Sequence, residues 1–297
     1  MDKIIMLGTG HAMTFACFNT CFVYENEHGK MLVDTGGGNG LLRQLQGAGI
    51  NSGDIEAVFI SHRHTDHLMG LPWLLRTVGG PGGGKPLTIY LHQELMEIVP
   101  KLVEMLFPEK LEQMKSCVRY VLVQDGDEAE ILGRRFRFMD LNSPTCPQFG
   151  FTMELAGGRK LAFCGDVPFD ERNREAIAGA DYLLHEAFNL ESEHRGPKGG
   201  PGMPPMGGPS GGMPPMGAGG PPGGMPPIGP GGPGKMGHST VKEAAGYAKS
   251  LNVKNLILFH GSDNDLENRQ AAYTAEARQT FDGGIFVPYD LDVIDLT

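Results

Sequence analysis

The sequence predicts an α/β fold built on a mixed sheet, and three observations carry that prediction. Short apolar runs of strand length alternate with amphipathic stretches of helix length. Several neighbouring runs are separated only by turn-sized gaps, as in hairpins. With 297 residues and 40% hydrophobic content, the chain can bury a sizeable core.

The elements follow in order. Ile4 to Leu7 is strand-like and comes directly after Asp2 and Lys3. Leu32-Val33-Asp34 closes a second strand and meets Thr35-Gly36-Gly37-Gly38, a turn where backbone must approach something closely. Leu41 to Gln46 reads as a helix, and Ala57-Val58-Phe59-Ile60 as a buried strand. Leu87 to Leu91 is a strand, followed by an amphipathic helix from Gln93 to Phe107 that Pro108 closes. Val118 to Val123, Phe136 to Leu141, Phe149 to Leu155 and Lys160 to Cys164 are strand-like. Tyr182 to Leu184 and Asn255 to Phe259 read as buried strands. Between them, Thr240 to Lys249 is a helix with Ser239 as its expected N-cap.

One segment breaks the pattern. Residues 196–237 are almost entirely Gly, Pro and Met, with Lys198 and Lys235 as the only charges and Met-Pro-Pro units starting at Met203, Met213 and Met225. Glycine raises the entropy of ordering, proline forbids regular pairing, and the apolar content is too sparse for a core. The expectation is one domain formed by 1–195 and 238–297, interrupted by a disordered or polyproline-like excursion. That excursion could dock a partner, cover the active site, bind a soft metal through its methionines, or be a tolerated insertion.

The formal net charge of −10 argues against broad binding of nucleic acid through a basic surface, though not against a local basic groove. Nothing at the start resembles a signal peptide, and no apolar run approaches the roughly 20 residues of a spanning helix. Cys17, Cys21, Cys117, Cys146 and Cys164 include no CxxC pair, so reduced thiols in a cytoplasmic protein are expected.

Chemistry concentrates in Ser61-His62-Arg63-His64-Thr65-Asp66-His67, on the loop leaving a buried strand. Imidazoles and a carboxylate crowded this closely repel or titrate against one another unless a divalent cation takes them as ligands. His62 and His64 can project as one pair, while Asp66 and His67 turn toward a second point. Other strand ends offer the remaining donors: Asp166 after Leu161 to Gly165, His185-Glu186 after Tyr182 to Leu184, and His260 after Leu256 to Phe259. His238-Ser239-Thr240 opens a helix. Each repeats one arrangement, an apolar strand or helix start followed by a ligand-type side chain.

This order resembles the metallo-β-lactamase superfamily: GTG near the start, a strand-ending Asp34, the His-rich loop, GD at Asp166, HEA at His185, HST at His238 and a strand-ending His260. HEA and HST are similar to the signatures of the ribonuclease Z (tRNA 3′-processing endonuclease) branch. The resemblance implies an αββα four-layer sandwich with two mixed β-sheets and a metal-dependent phosphodiesterase or endoribonuclease using a metal-bound hydroxide. His62 and His64 would hold a first metal, and Asp66, His67 and His260 a second, with Asp166 shared. One or two Zn2+ ions are implied, with Mn2+ or Fe2+ as alternatives. Asp66, His238 and Glu186 would be catalytic, the last two as the pair that meets the phosphate and protonates the leaving oxygen. Asp34 and His185 would support the site from behind, and His11, after Gly8-Thr9-Gly10, would contact substrate. The implied partners are a phosphodiester, a tRNA precursor among them, and a second copy in a homodimer, with no membrane.

The chain departs from this pattern twice. Asn142 stands where a third histidine for the first metal is expected, and an amide oxygen is a weaker and harder donor. Three outcomes follow: two metals with Asn142 as an oxygen ligand, only the second metal held, or catalysis lost. Cys146 is a substitute thiolate to consider. Second, there is no room between Asn142 and Asp166 for the tRNA-gripping arm of the branch, and the Gly/Pro/Met segment carries almost no basic charge. A small ester, lactone or cyclic nucleotide is therefore the alternative substrate. A catalytically impaired binding protein is the alternative from a different class. Arg63 is expected to face solvent or pair with a carboxylate, and His28, His92 and His194 to lie on the surface.

Overall fold

The computed structural model describes residues 2–78, 86–194 and 237–296. The segment expected as a low-complexity insertion lies outside the described residues except for Gly237. The first sheet contains β1 (Lys3–Gly8), β2 (Cys21–Asn26), β3 (Gly29–Val33), β4 (Ile55–Phe59), β5 (Leu87–Leu91) and β6 (Val118–Leu122). The second contains β7 (Glu128–Ile131), β8 (Arg134–Asp140), β9 (Phe149–Glu154), β10 (Lys160–Phe163), β11 (Tyr182–Glu186), β12 (Asn255–Phe259) and β13 (Gly284–Phe286). The last strand, β14 (Val293–Asp295), returns to the first sheet beside β1. Among the described residues the orders are β14-β1-β2-β3-β4-β5-β6 and β13-β12-β11-β10-β9-β8-β7.

Strand alternation decides the layers. Phe22, Tyr24, Phe59, Phe136, Phe138, Phe151 and Phe163 are buried in the seam between the sheets. There, Phe59 packs against Phe138 at 5.5 Å and edge-on against Phe151 at 5.4 Å between centroids. The opposite face of the first sheet, with Val23, Leu32 and Ile89, buries against helices Gly40–Gly47 and Gln93–Leu106. The outer face of the second, with Leu183, Leu256 and Leu258, meets Ala244, Ala245 and Ala248 of helix Val241–Ser250 and Ala277 of helix Leu266–Arg278. The result is the αββα sandwich with two mixed sheets.

In both sheets the parallel strands end at one rim. β3, β4, β5 and β6 run parallel, as do β10, β11, β12 and β13. Ligand sites in α/β sheets form outside the carboxyl ends of such strands, where loops can carry side chains without disturbing the ladder. Asp34, Ser61 to His67, Asp166, Glu186 and His260 all lie at or just beyond such ends.

Two expectations are corrected here. The N-cap of helix Val241–Ser250 is Thr240, not Ser239: the Thr240 hydroxyl accepts from the Glu243 amide at 3.2 Å, and Glu243 returns a bond to the Thr240 amide at 2.8 Å. The amide of Ser239 instead donates to Glu186 Oε1 at 2.5 Å.

His92 is not a surface residue. It is buried at the start of helix Gln93–Leu106, stacked on Phe149 at 5.1 Å, with Nε2 lacking a hydrogen-bond partner. Burial lowers its pKa to about 4 despite the pull of Asp140. Because the folded value is depressed, the unfolded chain takes up this proton first. The contribution of neutral His92 is complete above pH 6.5 and is lost as the pH falls toward 4. Between pH 7 and 5 the loss amounts to about 2 kcal/mol. His92→Phe should remove that share, so urea denaturation of the metal-free variant should show a correspondingly smaller pH dependence. Equal dependence in both proteins would refute it.

Candidate metal centre

The site is organised from beneath by Asp34, which closes β3 in the left-handed region at φ 55. Its carboxylate is fully buried and accepts from the Ser61 amide and the Ser61 hydroxyl, each at 2.7 Å, and from His67 Nδ1 at 2.8 Å. Two tautomers follow. The proton on His67 Nδ1 leaves Nε2 as a lone-pair donor. The Ser61 hydroxyl, spending its proton on Asp34, accepts from His62 Nδ1 at 3.0 Å and leaves His62 Nε2 free as well. The carbonyl of His67 is held in turn by the Thr35 amide and hydroxyl, both at 2.8 Å.

The donors converge on Asp166, which follows β10 after Gly165. Asp166 Oδ2 lies 3.6 Å from His62 Nε2, 3.5 Å from His67 Nε2 and 3.4 Å from His260 Nε2. Asp66 Oδ2 lies 3.4 Å from His67 Nε2 and 3.5 Å from His260 Nε2. His64 Nδ1 faces His62 Nε2 at 2.9 Å. Three ligand sets each fall within 4.8 Å: His62, His67 and Asp166; Asp66, His67 and His260; Asp166, His238 and His260.

Chemical fit is tested by what is left unpaired. His67 Nε2, both nitrogens of His260 and Asp166 Oδ1 are buried without a hydrogen-bond partner. Each such orphan costs about 1–3 kcal/mol, and the Nε2 atoms of His67 and His260 both point at Asp66 and Asp166. Divalent cations would take the Nε2 lone pairs and the carboxylate oxygens, so the residues fit the group that the fold implies. Charge agrees. Burial opposes ionisation of Asp66, but His260 and His67 outweigh it and hold the carboxyl below its usual range. Burial likewise works against Asp166, and His62 and His67 overcome it. Burial pushes His62 down, against the pull of Asp166, toward the neutral form that ligates.

Glu186 and His238 form the second functional pair. Glu186 Oε2 lies 3.0 Å from His238 Nδ1, while Oε1 anchors the Ser239 amide at 2.5 Å. Burial lowers the His238 pKa, but Glu186 reverses the effect and raises it overall. With Nδ1 engaged, Nε2 is the end left for chemistry. His11, His64, Asp66, Asp166, His238 and His260 line one cavity of about 560 Å³. His11 accepts at Nδ1 from the Met13 amide at 3.1 Å, which puts its proton on Nε2. Burial, then His260, lowers its pKa.

Three residues sit differently from expectation. His185 points the other way from its neighbour, because adjacent strand residues face opposite sides of a sheet. It bonds the Glu186 carbonyl at 2.8 Å and packs 5.5 Å from Tyr247 on the helix side. Asn142 is not among the residues lining the cavity of the convergent donors. Its backbone adopts φ 55, its amide donates to Asp140 Oδ1 at 2.8 Å, and it lines a separate cavity of about 540 Å³ with Asp125 and Arg172. Cys146 lies 3.7 Å from His64 Nε2, the opposite end of that ring from His62. Burial raises its pKa and favours the thiol. Arg63 pairs with Glu94 at 3.0 Å, one of its two expected positions. Sequence reasoning missed Ser61 as the relay between Asp34 and His62, and Phe188, whose ring packs against both His11 and His238. Only the placement of Phe188 directly after HEA could have drawn attention to it.

Known proteins resemble this arrangement. A model of the family described as Anti-Pycsar protein Apyc1 matches residues 2–194. The ribonuclease Z of Thermococcus onnurineus is 25% identical, covering 99% of this chain and 94% of that protein. The ribonuclease Z of Clostridium perfringens is 27% identical, with 95% of each chain covered. The metallo-beta-lactamase fold protein YhfI from Bacillus subtilis superposes with a TM-score of 0.72 at 16% identity, over 99% of this chain and 98% of that one. Human tRNase Z, short form, gives 0.66 at 22% identity over 99% of each chain. The structural likenesses establish the fold. The ribonuclease Z relatives agree with the HEA and HST signatures, and the family model adds a name those signatures do not carry. Since that model spans well over half of the chain, the protein belongs to the Anti-Pycsar protein Apyc1 family, as a metallo-β-lactamase-fold metallo-hydrolase with ribonuclease Z among its relatives.

Proposed function

We propose that the protein hydrolyses phosphodiesters as a ribonuclease Z-like endonuclease, with a tRNA precursor as substrate. The observation that carries this reading is the sharing of one cavity by the convergent His and Asp donors and the His238–Glu186 pair. His62, His64 and Asp166 would hold one ion, and Asp66, His67, His260 and Asp166 a second, with zinc suited to the imidazole-rich set. Bound there, divalent ions would supply Lewis acidity toward the phosphoryl oxygens and make water a better nucleophile at neutral pH. Glu186 accepts from Nδ1 of His238 and favours the charged ring, and that imidazolium carries a second proton, on Nε2, for the leaving oxygen. The Nε2–H of His11 is placed to meet substrate. The five free thiols support a cytoplasmic setting, and no described helix is long and apolar enough to cross a membrane.

A second reading, a compact phosphodiester such as a cyclic nucleotide, is favoured by two observations. Arg63 is the one Lys or Arg among the described residues lining the cavity, and it is committed to Glu94. β9 and β10 are joined by the short connection Leu155 to Arg159, which leaves no arm there to grip a long RNA. The metal-loaded protein should be offered bis(p-nitrophenyl) phosphate, a precursor tRNA and 3′,5′-cyclic nucleotides. Cleavage of the precursor at its 3′ trailer supports the first reading, and selective opening of cyclic nucleotides the second. No hydrolysis of any of the three by a protein carrying stoichiometric metal would defeat both.

A further inference from the structure

The ring of His238 is held by polar contacts at its edge, from Nδ1 to Glu186 and with the Asp166 backbone. Such edge contacts fix distances but constrain rocking about the Cβ–Cγ bond less tightly, because the rotamer well there is broad. A flat face 5.0 Å away and 15° from parallel restricts that motion, and the ring of Phe188 provides it. The ring of Phe188 also packs against His11, at 4.4 Å and 37° from parallel. The phenyl ring therefore contacts two imidazoles on the cavity wall, and Phe188 itself lines that cavity.

The backbone beneath the ring is held independently of the side chain. The Phe188 amide donates to the Ser239 carbonyl at 2.9 Å, and its carbonyl accepts from the Ser262 amide at 3.0 Å and the Tyr273 hydroxyl at 3.1 Å. These bonds join the loops after β11 and β12 to the start of helix Val241–Ser250. Changing the side chain should leave this scaffold and the ligand sets in place.

We propose that Phe188 is a positioning residue: its ring holds His238 in the orientation that delivers a proton to the leaving oxygen, and holds His11 at a set spacing from it. This rests on the reading of His238 as proton donor, and the test separates the two. Aryl diesters of similar size but different leaving-group basicity report on proton delivery. Bis(p-nitrophenyl) phosphate expels a stable phenolate and needs little protonation, whereas diphenyl phosphate depends on it.

For Phe188→Leu, kcat for diphenyl phosphate should fall about threefold to tenfold further than kcat for bis(p-nitrophenyl) phosphate, the size expected for loss of one aromatic stack. KM and bound metal should be unchanged, and Phe188→Tyr should restore the wild-type ratio. Phe188→Met, which keeps volume without a ring, serves should the leucine variant fold poorly. Equal losses on both esters, or none, would overturn the role of Phe188, provided that His238→Ala discriminates between them. If His238→Ala slows both esters alike, the proton-donor reading falls and this inference falls with it.

Discussion

Asp166→Ala should abolish turnover, lowering hydrolysis of bis(p-nitrophenyl) phosphate by about 10³-fold or more, because several kcal/mol of charge stabilisation disappear with the metal. The expectation follows from placement. Among the described residues, Asp166 is the one carboxylate within 3.6 Å of imidazole nitrogens from three separate segments: the loop after β4 (His62), helix Thr65–Leu68 (His67) and the end of β12 (His260). Its second oxygen is buried and unpaired. Removing it takes the facing carboxylate from His62 and leaves Asp66 to balance a cation between His67 and His260, with nothing joining the two ligand sets. Asp166→Asn keeps the volume but offers one neutral oxygen and should be impaired almost as severely. Metal analysis of protein purified without chelator, together with initial rates, checks both. Stoichiometric metal with unchanged turnover in either variant would show that this carboxylate does not join the two ligand sets.

Most of that placement is legible in the sequence because its physics is local. An apolar strand followed at once by a ligand-type side chain marks Asp34, Asp166, Glu186 and His260, and parallel strands bring such ends to one rim. What escapes is orientation. HEA reads as a unit, yet the alternation of a strand sends His185 to the helix side and Glu186 toward the cavity. Asn142 is visible as a departure from the expected histidine, but the left-handed turn that carries it to a different cavity depends on the Asp140 carboxylate capping its amide. His92 reads as a lone surface histidine because its stacking partner, Phe149, belongs to the other sheet. Among the elements, the end strands β7, β13 and β14 are three or four residues long, too short for an alternation to register. Helix Leu266–Arg278 buries only Arg269, Tyr273 and Ala277, which leaves no apolar stripe to recognise.

Asp34→Asn should weaken metal binding about 10- to 100-fold while leaving the fold nearly intact. Asparagine tolerates the left-handed backbone that Asp34 adopts, and its single oxygen can still accept from the Ser61 amide. Its amide nitrogen, however, replaces the oxygen that faces His67 Nδ1 and the Ser61 hydroxyl, and it can only donate. His67 must then accept at Nδ1 and carry its proton on Nε2, the atom aimed at Asp66 and Asp166. The Ser61 hydroxyl loses its acceptor and is free to donate to His62 Nδ1, which would move the His62 proton to Nε2 as well. One atom exchange thus blocks two ligands without removing either. Asp34→Ala should do the same and also destabilise the protein by about 3–5 kcal/mol, since it orphans the buried donors around it and places a Cβ-bearing residue without a polar side chain at φ 55. Isothermal titration with zinc and urea denaturation separate the two effects: the asparagine variant should lose affinity at nearly constant stability, and the alanine variant should lose both. Wild-type affinity in Asp34→Asn would show that the buried aspartate does not set the protonation of the histidines above it.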